Sequence, residues 1–153
     1  MIAWREQMSV DGGVIDSDHR HLIEIINNFE SRAEGAASTG DLMEILYALK
    51  FYATTHFKRE ETLQRLTHYP YHQRHCQEHK DLGARLEAII AETHKAMASD
   101  SKKAVAETSA LLKSWLVDHV IGSDLKMSTY IHAARKAGEE MELLGDVKWD
   151  GSK

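Results

Sequence analysis

The sequence predicts an all-α fold: an up-down-up-down antiparallel four-helix bundle with an extended N-terminal arm and a C-terminal helical tail. Three observations lead there. Proline occurs once and glycine nine times in 153 residues, so long uninterrupted helices are permitted almost everywhere and a strand-and-turn architecture is disfavoured. Apolar or histidine residues recur at steps of three and four along four runs, the spacing of one helix face. The segments between these runs are short, which makes successive helices antiparallel neighbours.

In chain order, residues 1 to 16 read as the extended arm. The first run holds positions 19, 22, 26 and 29, and the second 42, 45, 49, 52, 56 and 63. The third holds 72, 75, 79, 82, 86, 89 and 93, and the fourth 105, 108, 112, 115 and 119. Between them lie "AASTGD" (36 to 41), "THYP" (67 to 70) and "ASDS" (98 to 101), each carrying residues that favour caps or turns. Asp41 with Glu44 resembles a capping pair, and Pro70 suits a first helical position. After Tyr130, "HAARKAGEEMELLG" has the spacing of a further helix, and "DVKWDGSK" reads as a solvated end. The expected division is one domain, residues 1 to 135, followed by a tail, 136 to 153.

Composition narrows the function. A net charge of -5 with no basic run argues against a nucleic-acid surface, and an acidic surface repels anionic lipid. The start "MIAWREQMSVDGG" has no apolar stretch long enough for a signal peptide, and no transmembrane segment follows, so the expected compartment is the cytoplasm. The single cysteine, Cys76, rules out an internal disulfide. Small molecules or proteins remain as partners. Ten histidines stand out, and metal ligation is a leading explanation for such an excess.

Four of these histidines, at 68, 72, 75 and 79, fall in "HYPYHQRHCQEH". Which of them meet the others follows from hairpin geometry, since residues equally distant from a turn lie at the same height. His56 and Glu60 sit at i and i+4 with mean position 58; His75 and His79 have mean position 77, and the midpoint, 67.5, falls at "THYP". Pairing 72 with 75 instead moves the midpoint to about 65.8, inside the second run. His19 and position 58 centre on 38.5, inside "AASTGD", and position 77 and His119 centre on 98, at the edge of "ASDS". Three loops therefore agree on one level that collects His19, His56, Glu60, His75, His79 and His119, where unpaired polar side chains are costly without a metal or a full hydrogen-bond network. Asp124 follows His119 by five, which on an ideal helix turns it roughly 140° away; Gly122 permits a bulge or break that would turn the carboxylate inward.

A single histidine on an apolar face is more often a satisfied core residue than a ligand, but convergence of the whole set reverses that weighting. His68 and His72, at the turn and the first turn of the third helix, read as solvent-facing or capping, and His21, His94 and His132 as surface residues. Cys76 is turned roughly 100° from His75 and reads as packing.

The segments "VIDSDHRHLIEIIN", "HFKREETL", "YPYHQRHCQEH" and "WLVDHVIGSD", with the early Trp4, resemble the bacteriohemerythrins of the hemerythrin family from about Trp4 to Tyr130. The resemblance implies two non-haem iron ions with an oxo or hydroxo bridge. His75, His79 and His119 would bind one iron, His19 and His56 the other, and Glu60 and Asp124 would bridge them. One coordination position is then open, on the two-histidine iron, where O2 or another small diatomic ligand would bind. Leu22, Phe57, Trp115, Leu116 and Val120 are expected to crowd that iron with apolar groups. The implied function is reversible O2 binding for storage, delivery or sensing by a metalloprotein that is not an enzyme. The alternatives are a di-iron enzyme consuming peroxide or nitric oxide, or a ligand-sensing regulatory module. The chain departs from the family's pattern at Met127, where an aromatic often follows the bridging aspartate, and in its longer tail.

Overall fold

The computed structural model describes residues 1–35, 37–99 and 102–137. Four long helices account for most of them: α1 (Val14–Glu34), α2 (Thr39–Leu66), α3 (His72–Ala98) and α4 (Lys102–Gly122). Each packs against the next and α4 returns to α1, which closes the antiparallel bundle. A 3-10 turn (Asp124–Met127) and a short helix, α5 (Ser128–Lys136), follow α4, and another 3-10 turn (Glu6–Met8) lies within the arm.

The arm differs in length from the sequence expectation. It ends at Gly13, because the Asp11 carboxylate accepts hydrogen bonds from the backbone N–H groups of Gly13, Ile15 and Asp16 and so satisfies donors at the start of α1. Asp16 reaches back to the N–H groups of Val10 and Gly12, and Gly12 takes a φ of +64 in that loop, a conformation glycine adopts at little cost. Farther back, Asn27 exchanges two hydrogen bonds with the backbone of Ile2, at 2.7 and 2.8 Å, and ties the arm along α1. Trp4 lies under the Arg20 guanidinium, 4.5 Å from ring centroid to Cζ.

Two local expectations change. The capping box of α2 is Ser38 with Asp41, not Asp41 with Glu44: the Ser38 hydroxyl accepts from the Asp41 N–H and the Asp41 carboxylate from the Ser38 N–H, each at 3.1 Å. Pro70 lies before the first turn of α3 rather than in it, since Tyr71 is the N-cap.

Buried apolar side chains form two clusters. The larger includes Leu22, Ile26, Phe29, Leu46, Leu49, Ala53, Leu86, Leu112 and Leu116; the smaller includes Val10, Ile15, Leu63, Tyr69, Met127 and Ile131. Along α1 the order is Ile15, His19, Leu22, and along α2 it is Ala53, His56, Glu60, Leu63. The polar level is thus a layer between two apolar cores, closed at one end by the arm and α5.

Ile131 and Ala134 are buried, so α5 belongs to the packed body. The remainder of the expected tail helix, from residue 138 onward, lies outside the described residues. We expect truncation after Ala137 to leave the metal content intact, since every buried residue of the smaller cluster is retained. Loss of the metal spectrum from the truncated protein would place the tail in the core.

Candidate metal centre

Every element of the bundle contributes to the polar layer. His19 comes from α1, His56 and Glu60 from successive turns of α2, His75 and His79 from successive turns of α3, and His119 from α4. Asp124 arrives by a break rather than a bulge: α4 ends at Gly122, and the 3-10 turn starting at Asp124 directs its carboxylate inward, where it is fully buried. All seven residues are 9% exposed or less.

The two carboxylates divide their oxygens between two histidine sets. Glu60 Oε1 lies 3.4 Å from His19 Nε2 and 3.3 Å from His56 Nε2, whereas Oε2 lies 3.4 Å from His75 Nε2 and 3.0 Å from His79 Nε2. Asp124 Oδ2 lies 3.0 Å from His19 Nε2, while Oδ1 lies 3.0 Å from His75 Nε2 and 2.9 Å from His119 Nε2. The donor atoms fall into two groups, each within 4.8 Å: Glu60, His75, His79, His119 and Asp124, and His19, His56, Glu60 and Asp124. The carboxylates are common to both. His68, His72 and Cys76 lie in neither group.

A metal answers a need that these side chains leave open. Glu60 Oε1, both Asp124 oxygens and the Nε2 atoms of His19, His75 and His119 are buried and make no properly oriented hydrogen bond. Buried polar atoms of this kind are costly. Nitrogen and carboxylate oxygen donors in this ratio suit iron among other transition metals.

Without a metal the layer holds protons instead. Burial alone would lower the His19 imidazole, but Asp124 and Glu60 outweigh it and raise it to about 10. Burial is likewise outweighed at His75, where Asp124 and Glu60 again raise the ring to about 10. Glu60 and Asp124 are held low in turn, because the charged histidines around them overcome the cost of burial. The histidine contribution to stability is complete below the ordinary imidazole value of 6.5 and fades as pH rises toward about 10. The Glu60 contribution is complete above 4.5 and is lost on acidification. The metal-free chain should therefore be most stable between about pH 4.5 and 6.5, as thermal melts across pH will show. A metal takes only neutral imidazole, so loading at pH 7 should release protons measurable in weak buffer. Uptake without proton release would contradict the paired state of the metal-free layer.

Outer partners orient several rings. Asp18, buried in α1, accepts from His56 Nδ1 at 3.1 Å, and Glu61 lies 2.9 Å from His79 Nδ1. Sequence reasoning passed over both carboxylates. For Asp18 the signal was present: it falls three residues after Ile15 and four before Leu22, on the buried face of α1. Of the two histidines set aside, His68 is exposed, but His72 does not cap α3; its Nδ1 lies 2.9 Å from the Oε1 of buried Gln64. Gln64 also donates to the Met127 sulfur at 2.9 Å.

Between His56 of one group and His119 of the other is a small cavity of about 10 Å³ lined by Leu22, His56, Phe57, Leu82, Trp115, Leu116, His119 and Asp124. Four of the five expected apolar residues line it. Val120 does not, although it packs in the same core as they do. Leu82 was missed, although it stands three residues after His79 in the same run, and its carbonyl accepts from Trp115 Nε1 at 3.0 Å. Phe57 serves both groups, stacked on His79 at 4.2 Å and 5.9 Å from the His56 centroid. Among the described residues, no helix is long and apolar enough to cross a membrane.

A family model described as "Hemerythrin HHE cation binding domain" matches residues 13–131. The chain is 24% identical over 133 residues to a bacteriohemerythrin of Stenotrophomonas maltophilia, covering 87% of this chain and 83% of that protein. It is 24% identical over 140 residues to a bacteriohemerythrin of Pseudomonas aeruginosa, covering 92% and 86%. It is 28% identical over 111 residues to one of Methylococcus capsulatus, covering 71% and 79%.

Proposed function

The chain belongs to the hemerythrin family, and on that premise we propose that it binds O2 reversibly at a non-haem di-iron centre, for storage, delivery or sensing, and is not an enzyme. The observation that carries this reading is the division of Glu60 and Asp124 between three histidines on one side and two on the other.

His75, His79 and His119 would hold one iron, and His19 and His56 the other. Glu60 and Asp124 would bridge the pair together with an oxo or hydroxo group. Bound there, two irons would supply the electrons for reversible capture of O2. The chain's own contribution is to hold the donors and keep water away. Two carboxylates together with a bridging hydroxide would offset most of the charge of two ferrous ions, which a buried site requires. Two histidines against three leave the His19 and His56 side with fewer protein donors, and the cavity, which touches His56 as well as His119 and Asp124, reaches that side. Its small volume leaves no room for a larger substrate. Its apolar walls would keep water from a bound ligand, and it holds no acid or base beyond the donors, which favours binding over turnover.

The test is an optical titration of anaerobically reduced, iron-loaded protein with O2, followed by removal of O2. We expect a new absorption that appears on oxygenation and disappears on deoxygenation. An irreversible change, or none, would overturn the proposal. Residues 1 to 135 are proposed as the sufficient unit, with the cytoplasm as its compartment.

A further inference from the structure

Asp18 is almost fully buried and accepts four hydrogen bonds. Its Oδ2 takes His56 Nδ1 at 3.1 Å and Arg59 Nε at 2.7 Å, and its Oδ1 takes Tyr52 Oη at 2.9 Å and Arg59 Nη2 at 2.8 Å. Arg59 is itself 8% exposed, so carboxylate and guanidinium form a fork-to-fork pair out of water. The other outer carboxylate, Glu61 on His79, is partly exposed, and water screens its charge.

A carboxylate on the far nitrogen of a ligating imidazole fixes the ring's tautomer and makes it a stronger donor. Here Nδ1–H must point at Asp18, which leaves His56 Nε2 free toward Glu60. Arg59 and Tyr52 compete for the same two oxygens, so they limit how much of the Asp18 charge reaches His56.

We propose that Asp18, with its charge balanced by Arg59 and Tyr52, is a positioning residue that orients His56 and sets the reduction potential of the two-histidine iron. This rests on the ligand assignment proposed above. A negative charge acting through His56 favours the ferric state and lowers the potential; donors that share the carboxylate raise it again. Removing the charge and removing its counter-charge must therefore act in opposite directions, which mere loosening of the fold does not do.

The experiment compares iron-loaded parent, Asp18→Asn, Arg59→Met and Tyr52→Phe by iron content and by mediated optical redox titration. Asn keeps an acceptor for His56, so Asp18→Asn should retain two irons and shift the midpoint potential positive. Arg59→Met should shift it negative, and Tyr52→Phe should follow with a smaller negative shift. If Arg59→Met does not fold, Tyr52→Phe takes its place in the comparison. Opposite signs uphold the proposal. An unmoved potential in Asp18→Asn, loss of its iron, or a counter-charge variant that is unmoved or moves the same way overturns it. A parent with fewer than two irons overturns the ligand assignment and this inference together; a parent with two irons and no opposed shifts overturns this inference alone.

Discussion

Replacing Glu60 with alanine is expected to strip the centre of most of its iron, and replacing His79 with alanine to reduce the content from about two irons per chain to one or fewer. The difference between the two follows from the oxygen distances. Glu60 faces His19 and His56 with one oxygen and His75 and His79 with the other, so its loss removes a donor from both groups at once. His79 belongs to one group only. Either deletion opens a gap in a layer sealed between two apolar cores, where solvent cannot easily fill it. By contrast His72→Ala and His68→Ala should keep two irons, because neither ring reaches the layer: His72 binds Gln64 and His68 is exposed. Iron analysis of the four variants tests the assignment. Full occupancy in both Glu60→Ala and His79→Ala would sink it.

Which of the four clustered histidines come together with Glu60 was legible in the sequence because the constraint is one of connectivity. Antiparallel helices joined by short loops must match heights across each turn, and only the pair at 75 and 79 matches His56 and Glu60 across "THYP". The inward turn of Asp124 was not legible to the same degree. An ideal helix carries it away from His119, and a bulge and a break at Gly122 predict the same result; the structure ends α4 there and starts a separate turn. Asp18 and Arg59 escaped notice for a different reason. Charged residues default to solvent, and nothing local distinguishes a buried ion pair between α1 and α2 from two surface charges until the helices are docked. Only the helical phase of Asp18 with Ile15 and Leu22 pointed inward. Leu82 and Val120 show the limit of reading a wall from neighbours in sequence: Val120 adjoins His119 yet faces the core, while Leu82 reaches the cavity from the next helix.

Leu116→Asn is expected to bind O2 but to autoxidise markedly faster than the parent, on the order of tenfold if the polar group lowers the barrier by about 1.4 kcal/mol. Leu116 is 4% exposed and lines the cavity with Leu22, Leu82 and Trp115. Asparagine has a similar reach but brings an amide that must be hydrogen-bonded, and with His56, His119 and Asp124 engaged on the metal the available partner is water drawn in from outside. Autoxidation requires water or a proton to reach the buried pair, so the same group that satisfies itself by recruiting water shortens the life of the oxygenated state. A packing role alone would give a different signature. Leu86 is also buried, at 1% exposed, and belongs to the same larger core, but it does not line the cavity. Leu86→Ala should therefore cost about 2 to 5 kcal/mol in unfolding free energy while leaving the autoxidation rate near that of the parent. Stopped-flow oxygenation, decay of the oxygenated absorption and denaturant melts on the two variants separate the roles. Equal autoxidation in Leu116→Asn and the parent would refute gating by this wall, and accelerated autoxidation in Leu86→Ala would show that general loosening, rather than polarity at the cavity, admits water.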